Sequence, residues 1–265
     1  MNAPHPSGPG GWDTRRQGRQ RRLDRAAAIG LGRIVPAARV VDLLEAVIEP
    51  GDRVCLEGNN QKQADFLAES LADCSPERLH DLHLVQSVLA LPSHVDLFER
   101  GLARRLDFSF SGLKGGRLAR LVQDRQIEIG AIHTYLELFG RYFMDLTPKV
   151  SLIAAQSADA AGNLYTGPNT EDTPAIVEAT AFKGGIVIAQ VNELTDSLPR
   201  VDVPADWVDF VIVAPRPNYI EPLFTRDPAQ ISEIQVLMAM MAIKGIYAEY
   251  EVKRLNHGIG FDTAA

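Results

Sequence analysis

Seven short apolar runs, at 53–57, 82–85, 106–108, 127–132, 150–155, 185–191 and 210–214, alternate with longer amphipathic segments. Runs of that length bounded by Gly, Pro and Asn are strand-like, and the segments between them have the length and periodicity of helices. The alternation predicts βαβ units, so the fold class is α/β: an open, mostly parallel sheet flanked by helices. With 265 residues, 46% of them hydrophobic and 23% charged, the chain can bury a sizeable core. Its most apolar segment, 234–246, contains Lys244 and Gly245 and is too short and interrupted for a membrane span. No apolar stretch follows the positive charges near the amino terminus, so a secretory signal is not expected and the cytoplasm is.

Residues 1–12 are rich in Gly and Pro and predict a disordered arm, followed by one α/β domain over 13–255. Between 23 and 47 the apolar residues recur at helical spacing, with Pro36 dividing two helices and Pro50-Gly51 ending the second. Arg15, Arg16, Arg19, Arg21, Arg22 and Arg25 concentrate positive charge at one end of a chain whose net charge is -7. That arm could meet nucleic acid, an acidic carrier protein or a neighbouring subunit; the acidic remainder and the lack of aromatic partners for bases argue against nucleic acid. Cys55 and Cys74 fit no zinc spacing and read as small buried fillers. His80, His83 and His94 are too irregularly spaced to suggest a metal, so none is expected.

The polar loops carry the chemistry. The first run leads into Glu57-Gly58-Asn59-Asn60-Gln61-Lys62-Gln63, a strand-to-helix turn dense in hydrogen-bonding groups. Gly58, Asn59, Asn60 and Gln61 could stabilise the oxyanion of a tetrahedral acyl intermediate, where each donor is worth ~3–4 kcal/mol; the plainer reading is a left-handed turn and a helix cap. Ser111, Gly112, Lys114 and Gly115 open another helix after a strand and could touch a cofactor phosphate. Thr134 and Tyr135 follow a third strand beside His133, which reads best as a hydrogen-bonded structural histidine. Asn163, Asn169 and Glu171 lie in a turn before a helix, and Asn192 and Glu193 end a buried strand. Either glutamate could attack an acyl thioester or position a substrate.

The segments DAAGNLYT (159–166) and EATAFKGGIVIAQVNE (178–193), with the turn at Gly58, resemble family I coenzyme A transferases and the citrate lyase alpha subunit. WDTRRQGRQRRL (12–23), GNNQKQADFLAESL (58–71) and TYLELFGRYFMDLTP (134–148) resemble the alpha subunits of malonate decarboxylase more closely. The resemblance implies a CoA transferase-like fold and an exchange in which acetyl-S-carrier and malonate give malonyl-S-carrier and acetate. It implies no tightly bound cofactor, because the thiol sits on the CoA-derived prosthetic group of an acyl carrier protein. Partners would be that carrier, the decarboxylase subunits of the complex, malonate and acetate, in an oligomer without nucleic acid or membrane. Gly58 to Gln61 would occupy the family's Gly-rich oxyanion loop, although Asn59, Asn60 and Gln61 replace its usual glycines and Phe. Residues 256–265 read as the start of a second half, where two-part transferases carry the nucleophilic glutamate. The alternatives are a CoA transferase or citrate lyase alpha subunit acting on another acid, and a non-catalytic module that docks a carrier protein.

Overall fold

The computed structural model describes residues 10–30, 32–59, 61–170, 172–222 and 226–265. Its centre is an eight-stranded sheet of β1 (Arg53–Leu56), β2 (Leu82–Val88), β3 (Ala103–Phe110), β4 (Glu128–Ile132), β5 (Val150–Ala158), β6 (Leu164–Tyr165), β7 (Ile186–Leu194) and β8 (Phe210–Val213). The order is β4-β3-β2-β1-β5-β7-β8 with every neighbouring pair parallel, and β6 runs antiparallel to the end of β5. Each apolar run became a strand, and the sheet is the open parallel one the alternation predicted.

Helix α1 (Gly10–Ala26) precedes the sheet. Helices α2 (Val40–Val47), α3 (Asp65–Ala72), α4 (Pro92–Glu99) and α5 (Gly115–Gln123) bury their apolar sides against one face, and α6 (Tyr135–Met144) and α7 (Thr173–Phe182) against the other. Alternate strand residues divide between the two cores: Val54, Leu56, Leu152 and Ile188 enter one, while Cys55, Ile153, Val187 and Ala189 enter the other. Double coverage is why these strands read as continuously apolar rather than alternating. Cys55 and Cys74 are both buried and unpaired with each other, and burial pushes the Cys74 thiol up to about 12.

The amino-terminal region departs from expectation twice. α1 begins at Gly10, inside the stretch expected to be disordered, and three of its arginines are paired within the chain. Arg19 pairs with Asp209, Arg22 with Glu49 and Asp52, and Arg25 with Glu49. Pro36 divides two helices as expected, being extended ahead of a short 3-10 turn, Ala37–Arg39; the second departure is that α1 already ends at Ala26, short of the helical spacing that continues towards Pro36. Ahead of it, Ile34 pairs parallel with Val211, and the Val35 and Val211 N–H groups donate across that junction. This segment covers the outer edge of β8, whose hydrogen-bonding groups would otherwise be open to another chain.

After β8 come α8 (Glu233–Ala242), a π-helical stretch Ile243–Ala248 and α9 (Phe261–Ala264). α8 starts in a capping box between Ser232 and Gln235, yet Ile234, Leu237 and Met241 are 70%, 57% and 66% exposed. No helix among the described residues is long and apolar enough to cross a membrane.

Candidate active site

Strand order places the site. From β1 the chain builds outward through β2, β3 and β4, then returns to β5 and builds outward on the other side. Loops leaving the carboxyl ends of β1 and β5 therefore diverge, and in open α/β sheets the crevice at such a switch point is where ligands bind. The loop 57–63 leaves β1 there.

Glu57 anchors it. One carboxylate oxygen accepts the Ala154 N–H of β5 at 2.7 Å; the other lies 3.0 Å from Lys62 Nζ and accepts from the Thr173 hydroxyl at the start of α7. Lys62 Nζ also donates to Thr173 Oγ1, and Glu57 and Lys62 are 1% and 0% exposed. A buried ion pair of this kind is sustained by its extra hydrogen bonds, and here they join β1, β5 and α7.

Asn59 closes the turn. Its N–H donates to the Lys62 carbonyl at 3.0 Å, and its Oδ1 accepts from the Gln61 and Lys62 amides at 2.7 and 2.8 Å. Outside the turn, the Gly58 carbonyl accepts from Val88, Gln61 O from Glu221, and Gln63 O from the Asn218 side chain. The amide hydrogens of Asn59, Gln61 and Lys62 are thus consumed in shaping the loop. Asn60 lies outside the described residues, and Gln61 is half-buried. Glycine at 58 leaves room for the Gln63 side chain, whose Oε1 would stand 2.4 Å from a Cβ there and would have to swing away. That Cβ would also be 3.5 Å from Cε1 of His94, a fully buried residue in the first turn of α4. Neither ring nitrogen of His94 has a well-formed hydrogen bond among the described residues. Burial pushes its imidazole down to about 4, opposed by the nearby Val88 backbone, so it is neutral at physiological pH.

The other sequence candidates distribute along the sheet edge. Gly112 (φ 49°) and Lys114 lie in a 3-10 turn that follows β3 and Ser111, and Gly115 begins α5 directly after it. Lys114 has no ion pair among the described residues. Thr134 caps α6 by accepting the Glu137 N–H, and Tyr135 is 41% exposed; both follow β4, three strands from β1 and away from the switch point. Asn163 is committed to its own turn, bonding Asp159 through its amide nitrogen and Ala205 N through its oxygen. Asn192 holds the 216–222 segment by bonding both the N–H and the carbonyl of Asn218. Turn and loop geometry account for these two amides without a substrate. Asn169 is fully buried, Glu193 is exposed at the end of β7, and Glu171 lies outside the described residues. His133 is buried with Nε2 2.8 Å from Asp107, which also meets His83 Nε2 at 2.7 Å, so it is the structural histidine expected. Among the described residues no three His, Cys, Asp or Glu side chains come together as a metal set. Sequence reading missed the Glu57, Lys62 and Thr173 triad and His94; a lysine inside a strand-to-helix turn was the available signal.

The family profile of the malonate decarboxylase alpha subunit, described as a transporter, matches residues 11–265. The chain belongs to this family. It is 59% identical over 255 residues to a curated protein of Malonomonas rubra named acetyl-S-ACP:malonate ACP transferase, covering 96% of this chain and 46% of that one. A Pseudomonas malonate decarboxylase hetero-tetramer solved in complex with malonate contains a chain with 58% identity and a TM-score of 0.81, over 98% of this chain and 47% of that one. The chain therefore spans about half the length of the relatives it matches. Glutaconate coenzyme A-transferase from Acidaminococcus fermentans, at 13% identity and a TM-score of 0.56 over 74% of this chain and 81% of that one, shares the fold.

Proposed function

We propose that this chain forms the carrier-arm side of a site that moves an acyl-carrier-protein thiol from acetyl-S-ACP to malonate, giving malonyl-S-ACP and acetate. The observation that carries the proposal is the closed turn at the β1 switch point, in a chain 59% identical to a transferase of that name. In the exchange the acetyl C–S bond breaks, a malonyl C–S bond forms, and one malonate oxygen leaves with the acetate. The carbonyl oxygen gathers negative charge as it becomes tetrahedral, and a pre-shaped donor set lowers that barrier. Asn59 shapes the turn, the Gln61 side chain supplies a donor together with Asn60, and the start of α5 with Lys114 receives the phosphates of the incoming arm. Asn169, Glu171 and Glu193 remain substrate-side candidates by their place after β5 and β7. The thiol arrives on the carrier's prosthetic group, so no tightly bound cofactor is needed. Supporting the assembly, the Pseudomonas relative is a hetero-tetramer holding malonate; we place the carrier and decarboxylase subunits as partners, in the cytoplasm.

The test is acyl exchange in the assembled enzyme, from acetyl-carrier onto malonate and onto other dicarboxylates such as succinate. Exchange confined to malonate is expected, and Gln61→Ala should slow it about 100-fold at an unchanged unfolding midpoint. Unaltered turnover would remove the loop from the mechanism. Equal use of other acids would favour a general CoA transferase, and carrier binding without exchange a docking module.

A further inference from the structure

At the opposite, amino-terminal edge of the sheet lies a cleft of about 180 Å³ lined by Arg15, Arg53, Lys149 and Lys183, with Asp145 and Thr147. Arg53 is the first residue of β1, Lys149 immediately precedes β5, and Lys183 follows α7. The first two are locked together, because the Lys149 N–H donates to the Arg53 carbonyl at 2.8 Å and the Lys149 carbonyl accepts from Ile186 at 2.9 Å.

The charges do not cancel. Both carboxylate oxygens of Asp145 are bonded by Arg141, at 2.5 and 2.6 Å. Among the described residues, no carboxylate comes within ion-pair distance of Arg53, Lys149 or Lys183. Arg53 is half-buried and held by neutral partners: its Nε donates to His83 Nδ1 at 3.3 Å and its Nη1 to the Thr147 carbonyl at 3.2 Å. An arginine Nε can only donate, so His83 Nδ1 is the acceptor and its Nε2 carries the proton, which it gives to Asp107 at 2.7 Å. This chain fixes the guanidinium's direction; burial, the largest influence, lowers its pKa, and Asp145 and Asp107 oppose it from beyond pairing distance. A half-buried, rigidly held cation with no carboxylate in direct contact gains from an anion that completes its hydrogen bonds.

We propose that this cleft is a binding site for a phosphate group, free or carried by a small phosphomonoester, separate from the acyl-exchange crevice. Arg53 offers a planar fork for two oxygens, and the two lysines supply point charges from either side. The volume accommodates one tetrahedral anion with its hydration.

Calorimetric titration of the full-length protein with inorganic phosphate at constant ionic strength should saturate at one equivalent per chain at this site. The Lys149→Gln/Lys183→Gln double variant should weaken binding about tenfold or more. If that variant unfolds at a lower midpoint, Lys149→Arg/Lys183→Arg must retain binding. Glycerol phosphate separates the two sources: binding like that of inorganic phosphate identifies a monoester ligand, weaker binding a free ion. Undiminished phosphate binding by the double variant would overturn the assignment, as would malonate displacing phosphate with equal affinity.

Discussion

The sheet body and the carboxyl-terminal segment 233–265 are built from similarly apolar sequence and end in opposite states. In the body even charged groups are enclosed and matched, as Glu57, Lys62 and Thr173 are across β1, β5 and α7. In the tail, α8 has a sequence apolar nearly all round, EIQVLMAMMA, and presents Ile234, Leu237 and Met241 to solvent. A helix with that pattern belongs in an interior. Local sequence specifies that a helix forms and that it needs cover; only tertiary structure supplies the cover, and the described residues leave no residue of α8 buried.

The contrast can be broken most forcefully at the buried pair. Lys62→Met leaves the Glu57 carboxylate enclosed without its cation and should cost about 3–5 kcal/mol by denaturant unfolding; a loss below 1 kcal/mol would mean the body tolerates unmatched charge as the tail tolerates exposed carbon. Acid offers a gentler probe. His94 titrates near 6.5 when unfolded and at about 4 when folded, so the unfolded chain binds the extra proton between those values. Its contribution is complete above pH 6.5 and declines as pH falls towards 4, by about 2 kcal/mol at pH 5. His94→Asn should flatten that part of the stability profile, and an unchanged acid slope would place the sensitivity elsewhere. The smallest effect belongs to the tail: Leu237→Lys with Met241→Lys should shift unfolding by no more than about 0.5 kcal/mol while reducing binding of a hydrophobic dye. A large loss of stability would show that α8 is already packed.

Much of the fold was legible because burial on both faces makes strands such as β5 and β7 continuously apolar, a signal contained within a few residues. The 33–35 segment was not, since its pairing with Val211 depends on the far end of the sheet. The internal partners of the arginine cluster were hidden for the same reason: the charges are visible in α1, but Asp209, which Arg19 meets, lies 190 residues away. At the site, the turn after β1 could be located from its Gly and Asn residues. What its amides do could not, because Asn59 spends its oxygen on Gln61 and Lys62, and Thr173 joins Glu57 from 116 residues on.

The strap across β8 also sets an order of events during synthesis. Ile34 leaves the ribosome long before Val211, its partner at the rim. At about 5–20 residues per second the earlier segment waits on the order of ten seconds or more. The 33–35 strap is then last to lock, so a nascent chain stalled before β8 would hold α1 against α2 through Arg22 and Arg25 while leaving the strap undocked and accessible to proteases.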